Sequence, residues 1–328
     1  ARADLAMYLV KRRGGADVLL HTAALQPEGV EDLALGRALA RALVDEQVTV
    51  SFQPIIDLPT GRLDTLEALA RWAPGGRPVA PETFVRVAES CDLIDSLFRF
   101  VLEEACTQLT RWRTLPGGSD VRVAVNITPR QLASPELPGF IAAELTHFGL
   151  SGDRLVLEII ETGMLTDTAT THTVCHELRR LGVRLSVDDF GTGPSSLARL
   201  RDLPINEVKI DRSFISNLDQ DEARRRFVWG VVAFAERVGL TVVAEGVEKQ
   251  AELDALTALG CHRIQGFLFS RPLPAEAVDT LLRHPGSWVL GIPASPPEPP
   301  GSGVRQRPRS QPDQFPDTDA PPVPEPLT

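Results

Sequence analysis

Between residues 48 and 270 one pattern keeps returning, and it restricts the fold more than anything else in the chain. A β-branched run ends in polar residues, and a helical stretch follows. The runs are VTVSFQPIID, RLDTLEALARW, VRVAVNIT, RLVLEIIE, VRLSVDDF, INEVKID, LTVVAEGV and HRIQGFLF, eight in all. Amphipathic segments such as ETFVRVAESCDLIDSLFRFVLEEACTQLTRW and EARRRFVWGVVAFAERVG lie between them. Strands that alternate with helices run parallel, because the helix carries the chain back to the edge where the next strand starts. The first pair is the exception. PTGR between the first two runs is a tight turn, which makes an antiparallel hairpin. The expected fold is α/β, a TIM-like (β/α)8 barrel with one antiparallel strand. Such a barrel builds its site at the C-terminal ends of its strands.

The bulk composition narrows the partners. A chain of 328 residues can bury a large core, and 43% hydrophobic with 24% charged residues is ordinary for a globular domain. A net charge of -10 argues against DNA or an anionic membrane as the main partner. The four cysteines (Cys91, Cys106, Cys175 and Cys261) are scattered and form no CxxC pair, which fits a reducing cytoplasm better than a disulfide scaffold or a cysteine zinc site. From about residue 292 proline dominates and apolar residues nearly vanish. That composition cannot bury enough surface to offset chain entropy, so residues 286–328 read as a disordered Pro-rich tail.

The strand ends carry the chemistry. They present Gln53, Glu67, Asn126, Glu158, Asp188 with Asp189, Lys209, Glu245 and Gln265. Five carboxylates meeting at one mouth would repel one another unless a counter-charge joins them. The ligands are oxygens, with no convergent Cys or His, so a hard cation such as Mg²⁺ or Mn²⁺ is expected, as one or two ions. Two adjacent aspartates on a strand would face opposite ways, so the chain must bend at Asp188-Asp189, where Gly191 and Gly193 permit it. An oxygen-only site of this kind suits phosphoester hydrolysis. Lys209 supplies a fixed positive charge or orients water, and Glu245 ligates metal or takes a proton. His172 and His176 lie four apart on a helical segment away from the strand ends and read as surface positions.

These residues have a family likeness. FQPIIDLPTGRLDTLEALARW resembles the opening of the EAL domain, with Glu67-Ala68-Leu69 as its signature. VAVNITPRQL, LEIIE, DDFGTGPSSL, LPINEVKIDRSF, VVAEGVE and QGFLFSRPL resemble its later motifs in order, over residues 36–285. The resemblance implies a modified (β/α)8 barrel and a cyclic di-GMP phosphodiesterase giving linear 5′-pGpG with Mg²⁺ or Mn²⁺; Ca²⁺ is expected to bind but inhibit, because its looser coordination misplaces water and phosphate. It implies that Glu67, Asn126, Glu158 and Asp188 hold one metal, and that Asp189 serves the second with Asp188 bridging. Lys209 would contact the water or a metal-bound oxygen, and Glu245 would be the base or a second-metal ligand. Glu161 would brace the loop after the aspartates, and Glu248 and Gln265 would support the site. Gln53, Arg71 and Gln265 would face substrate, Arg71 through its bidentate fork.

The first residues hold a second likeness. ADLAMYLVKRRGGADV resembles the end of a GGDEF domain, so residues 1–20 read as its remnant and 21–35 as a linker, with the leading helix of the EAL domain within HTAALQPEGVEDLALGRALARALVDE. The implied partners are cyclic di-GMP, a second copy of the chain, and an upstream GGDEF and sensory domain in a longer protein. The implied location is the cytoplasm, with a membrane anchor left open for absent upstream segments.

Three positions depart from the family pattern: Ile160 where Thr is common, Pro194 where an aromatic is common, and Ala70 where Leu is frequent. None removes a ligand. Besides the hydrolase, two other classes fit such a chain: a receptor that binds the nucleotide without turnover, and a scaffold acting by protein contact. Turnover separates the first two, and nucleotide binding separates the last two.

Overall fold

The computed structural model describes residues 27–161, 169–193 and 203–284. The segments read as a GGDEF remnant and as a tail lie outside the described residues, as does Pro194. Eight strands close into one barrel in sequence order: β1 Val48–Asp57, β2 Arg62–Trp72, β3 Arg122–Ile127, β4 Leu155–Ile160, β5 Arg184–Phe190, β6 Glu207–Ile210, β7 Thr241–Ala244 and β8 Arg263–Gln265. β1 is antiparallel to both neighbours, β2 and β8, and every other pairing is parallel. The expected barrel with one reversed strand is the observed one.

The reversal follows from the turn. The Asp57 carboxylate accepts from the Thr60 N–H at 3.3 Å and from its hydroxyl at 2.5 Å, and Gly61 takes a left-handed φ of 62°. That closes a tight reversal at the end of β1. Because β1 runs backwards, its Gln53 lies opposite Glu67 of β2 on the same face of the sheet.

The helices are α1 Pro27–Val44, α2 Pro81–Ser90, α3 Ile94–Trp112, α4 Pro129–Leu132, α5 Leu137–Phe148, α6 Ala169–Arg180, α7 Arg212–Ile215, α8 Glu222–Val238, α9 Gln250–Ala258 and α10 Ala275–Arg283. α1 begins inside the segment read as linker. Its buried Asp32 takes a two-pronged hydrogen bond from Arg86 of α2, at 2.6 and 2.9 Å. The apolar layer lies between strands and helices. Phe52 of β1 meets Trp112 of α3 edge-on at 4.8 Å, and the Trp112 indole N–H donates to Asp279 of α10 at 2.8 Å.

Beneath the mouth the barrel is filled by polar side chains that satisfy one another. Glu207 accepts from Ser186 at 3.2 Å and from Arg263 at 3.2 Å. Arg263 also pairs with Asp64 at 3.3 Å, and Asp64 pairs with Arg122. This ionic floor supports the site from below and was not legible in the strand-end pattern.

Candidate metal-dependent active site

A single ammonium organises the mouth. Lys209 of β6 is fully buried, and its Nζ lies 2.6 Å from Glu245, 3.2 Å from Glu158, 3.3 Å from Asp188 and 3.4 Å from Glu67. These come from four other places on the barrel wall: the residue after β7, then β4, β5 and β2. Burial disfavours the Lys209 charge, yet the surrounding carboxylates outweigh it and hold the amine well above its usual range.

The carboxylates respond unequally. Burial works against the charge of Glu67 too, but Lys209 and hydrogen bonds from Gln265 at 2.5 Å and Asn126 at 3.0 Å prevail, so its carboxyl is held low. Glu158 has no such donors. Both its oxygens are buried without a hydrogen bond, and burial drives its carboxyl well above the ordinary range despite Lys209. Burial pushes Glu245 up to about 8 and, with the help of Asp188, Asp189 to about 6. Carboxylates gathered this closely and this deeply buried are suited to share a hard cation.

The paired aspartates solve the facing problem with a bulge. β5 and β6 are in register at Val187–Val208 and again at Phe190–Ile210, so Asp188 and Asp189 together oppose Lys209. The extra residue is absorbed at Asp189 itself, whose φ is 56°, and its N–H donates to the Asp188 carboxylate at 3.0 Å. The expected bend thus begins at Asp189, two residues before Gly191, which continues it at φ 102°.

Two triads result. Glu67, Glu158 and Asp188 each offer an oxygen within 4.8 Å of the others, and so do Asp188, Asp189 and Glu245. Asp188 belongs to both. Asn126 stands in register with Glu158, next to the first triad. Glu161 accepts from the N–H groups of Gly191 at 2.6 Å and Gly193 at 3.3 Å, on the loop that leaves the aspartates.

The remaining expected residues sit further out. Gln53 and Arg71 are half-buried on the Glu67 side of the rim, and Arg71 makes no ion pair with a described residue, donating only to the Ala70 carbonyl at 3.0 Å. Gln265 is buried against Glu67 and faces inward. Glu248 is not part of the cluster; it pairs with Arg212 at 2.8 Å. Ile160 ends β4 in register with Asp188 and is 41% exposed. His172 and His176 lie on α6, away from the mouth. Sequence reasoning missed Glu252 of α9, a buried carboxylate that accepts from the N–H groups of Glu248, Lys249 and Asn217. Its signal was a Glu three residues after the start of a helix, the spacing of a capping box.

Known proteins resemble this chain. The family model of the EAL domain matches residues 36–272. The chain belongs to the EAL domain family. Among curated relatives, the EAL chain is 38% identical over 276 residues to the Pseudomonas aeruginosa bifunctional diguanylate cyclase/cyclic di-GMP phosphodiesterase MucR, covering 84% of this chain and 40% of that protein. It is 38% identical over 282 residues to the cyclic di-GMP phosphodiesterase NbdA of the same organism, covering 86% of this chain and 36% of that protein. A solved structure described as the PaMucR phosphodiesterase, c-di-GMP complex, is 38% identical with a TM-score of 0.71, over 75% of this chain and 99% of that one. The EAL chain therefore spans well under half the length of these two curated relatives. Among the described residues, no helix is long and apolar enough to cross a membrane.

Proposed function

We propose that this EAL domain hydrolyses cyclic di-GMP to linear 5′-pGpG, lowering a bacterial second messenger, with two divalent cations, Mg²⁺ or Mn²⁺, in its mouth. The observation that carries the reading is the pair of carboxylate triads sharing Asp188 around one buried lysine. The donor set fits hard cations, since it is made of oxygens and leaves both oxygens of Glu158 buried and unbonded. The names of the relatives and the nucleotide complex of the PaMucR phosphodiesterase support the same substrate.

In this reading Glu67, Asn126, Glu158 and Asp188 hold one cation, Asp188 and Asp189 hold the other, and Glu245 beside them is the base. When bound, the cations supply Lewis-acid polarisation of the phosphate and make water a better nucleophile. Glu67 is aimed by Gln265 and Asn126, which fix its two oxygens separately. Glu161 keeps the loop after Asp189 against the barrel through two backbone N–H groups. Lys209 stays protonated and keeps four carboxylates from spreading apart. Arg71 and Gln53 receive the nucleotide at the rim, Arg71 with a guanidinium that no described carboxylate occupies. Water attacks phosphorus as the bond to the ribose 3′-oxygen breaks; Glu245 takes a proton from the attacking water and later releases it to solvent, and the leaving 3′-oxygen takes up one from solvent.

The longer protein carries a GGDEF domain upstream, in keeping with the bifunctional relative MucR. The domain pairs with a second copy through α8. There Trp229 is 61% exposed and Gly230 beside it leaves open space. The deciding experiment is chromatography of cyclic di-GMP reactions with Mg²⁺, Mn²⁺, Ca²⁺ or chelator. The reading requires linear pGpG with the first two ions and none with the last two; binding without product makes the domain a receptor.

A further inference from the structure

Lys209 within β6 and Glu245 just after β7 are in closest contact at the mouth, and a loop follows each strand. Each loop contains a left-handed residue, Asn217 with φ 59° after β6 and Gly246 with φ 67° after β7. Gly246 has no room for a side chain, because Arg212 fills the space a Cβ would take, at 2.4 Å. One buried side chain ties these loops together. Glu252, 2% exposed on α9, accepts at Oε2 from the N–H groups of Glu248 (3.0 Å) and Lys249 (3.1 Å), and at Oε1 from the N–H of Asn217 (3.0 Å). Lys249 closes the ring by donating to the Asn217 side-chain oxygen at 2.7 Å.

Half of this arrangement is ordinary helix capping, in which a Glu in the first turn reaches back to the N–H at the helix start. The bond to Asn217 is not. It comes from a different loop, 35 residues away in sequence, and capping does not require it. An ionised carboxylate receiving three backbone N–H groups is a strong clamp, because charge-assisted bonds are roughly twice as strong as neutral ones. We propose that Glu252 is a positioning residue for the metal site: by clamping the loop after β7 to the loop after β6 it fixes Glu245 relative to Lys209. Resting on the hydrolase reading above, this adds a residue that touches neither metal nor substrate. Its effect reaches the site through three residues of backbone, from Glu248 back to Glu245.

The two substitutions separate the clamp from the cap. Glu252→Gln can keep the capping bonds with its amide oxygen, but its NH₂ group then faces the Asn217 N–H, donor against donor. Glu252→Ala loses both. The readouts are Mn²⁺ affinity by calorimetry, and kcat and KM for cyclic di-GMP, on full-length chains that melt cooperatively. Loss of an outer partner of a metal site typically costs about 10–100-fold. Glu252→Gln is expected to weaken Mn²⁺ binding and lower kcat by about tenfold or more, with KM changed much less, and Glu252→Ala at least as much. If Glu252→Gln matches the parent in both readouts, the clamp does not position the site and the proposal is overturned. If Glu252→Ala does not fold, the Gln variant alone decides. A parent that binds Mn²⁺ but makes no pGpG refutes the hydrolase reading, and the Mn²⁺ affinities still judge Glu252.

Discussion

Replacing Lys209 by Met removes the ammonium at the centre of the mouth while keeping most of the stem that fills the space. Four carboxylates lie within 3.4 Å of that ammonium, and none of the side chain reaches solvent. Breaking a buried ion pair by deleting one partner typically costs about 3–5 kcal/mol, because the charge left behind has neither water nor a mate. For a domain of this size about 1 kcal/mol moves the melting temperature by roughly 2–4 °C, so Lys209→Met should melt about 6–20 °C below the parent in chelator at neutral pH. The carboxylates left behind can relieve themselves by taking up protons, so the deficit should shrink toward pH 5. Divalent cation should oppose it from the other side: at a concentration of 100 times its Kd, binding to the folded state alone contributes about 2.7 kcal/mol. The assay is differential scanning fluorimetry of both proteins at pH 5 and 7.5, with chelator and with Mn²⁺. A melt within about 2 °C of the parent in chelator at pH 7.5 would refute the idea that this ammonium holds the mouth together.

Three further outcomes follow from the same geometry. Glu158→Gln removes a charge that no hydrogen bond supports, so the chelated protein should melt no lower than the parent. Its Mn²⁺ affinity should fall by more than the ~10–100-fold lost with an outer-shell partner, which calorimetry measures. Asp189 is raised from 3.8 to about 6 and Glu245 from 4.5 to about 8, so above pH 4.5 the folded state binds more protons than the unfolded chain. Stability then falls as pH rises through that window; urea unfolding in chelator should give a lower midpoint at pH 8 than at pH 5.5, and Mn²⁺ should restore more at pH 8. Arg71→Ala removes a charge-assisted contact to phosphate worth about 1.5–3 kcal/mol, so steady-state kinetics should show KM raised roughly 10–100-fold and kcat changed far less.

The eight strands were legible because each is a β-branched run that carries polar residues the mouth needs, and both are local signals. The reversal of β1 was legible in PTGR for the same reason. The Asp188-Asp189 bulge was not, since it is defined by β6 slipping past β5, a relation between two strands far apart in sequence. Gln265 could be placed at the site by its strand end, but which way its amide turns depends on Glu67, and it turns inward. Glu252 and the Glu207–Arg263–Asp64 floor went unseen because each looks like one charged residue among many until its partners are brought near.

The reversed first strand has a bearing on synthesis. β1 and β2 form a long local hairpin, ten residues against eleven, that needs nothing beyond its own turn. The seam that closes the ring is its opposite: three pairs between β1 and β8, from Ile55–Gln265 to Asp57–Arg263. Those partners stand near the two ends of the domain, and bringing such distant segments together is slow. The last strand to leave the ribosome is therefore the one that completes the cylinder, and it delivers the amide that aims Glu67. Until β8 is made, the ligands exist on the growing chain but the ring that gathers them stays open.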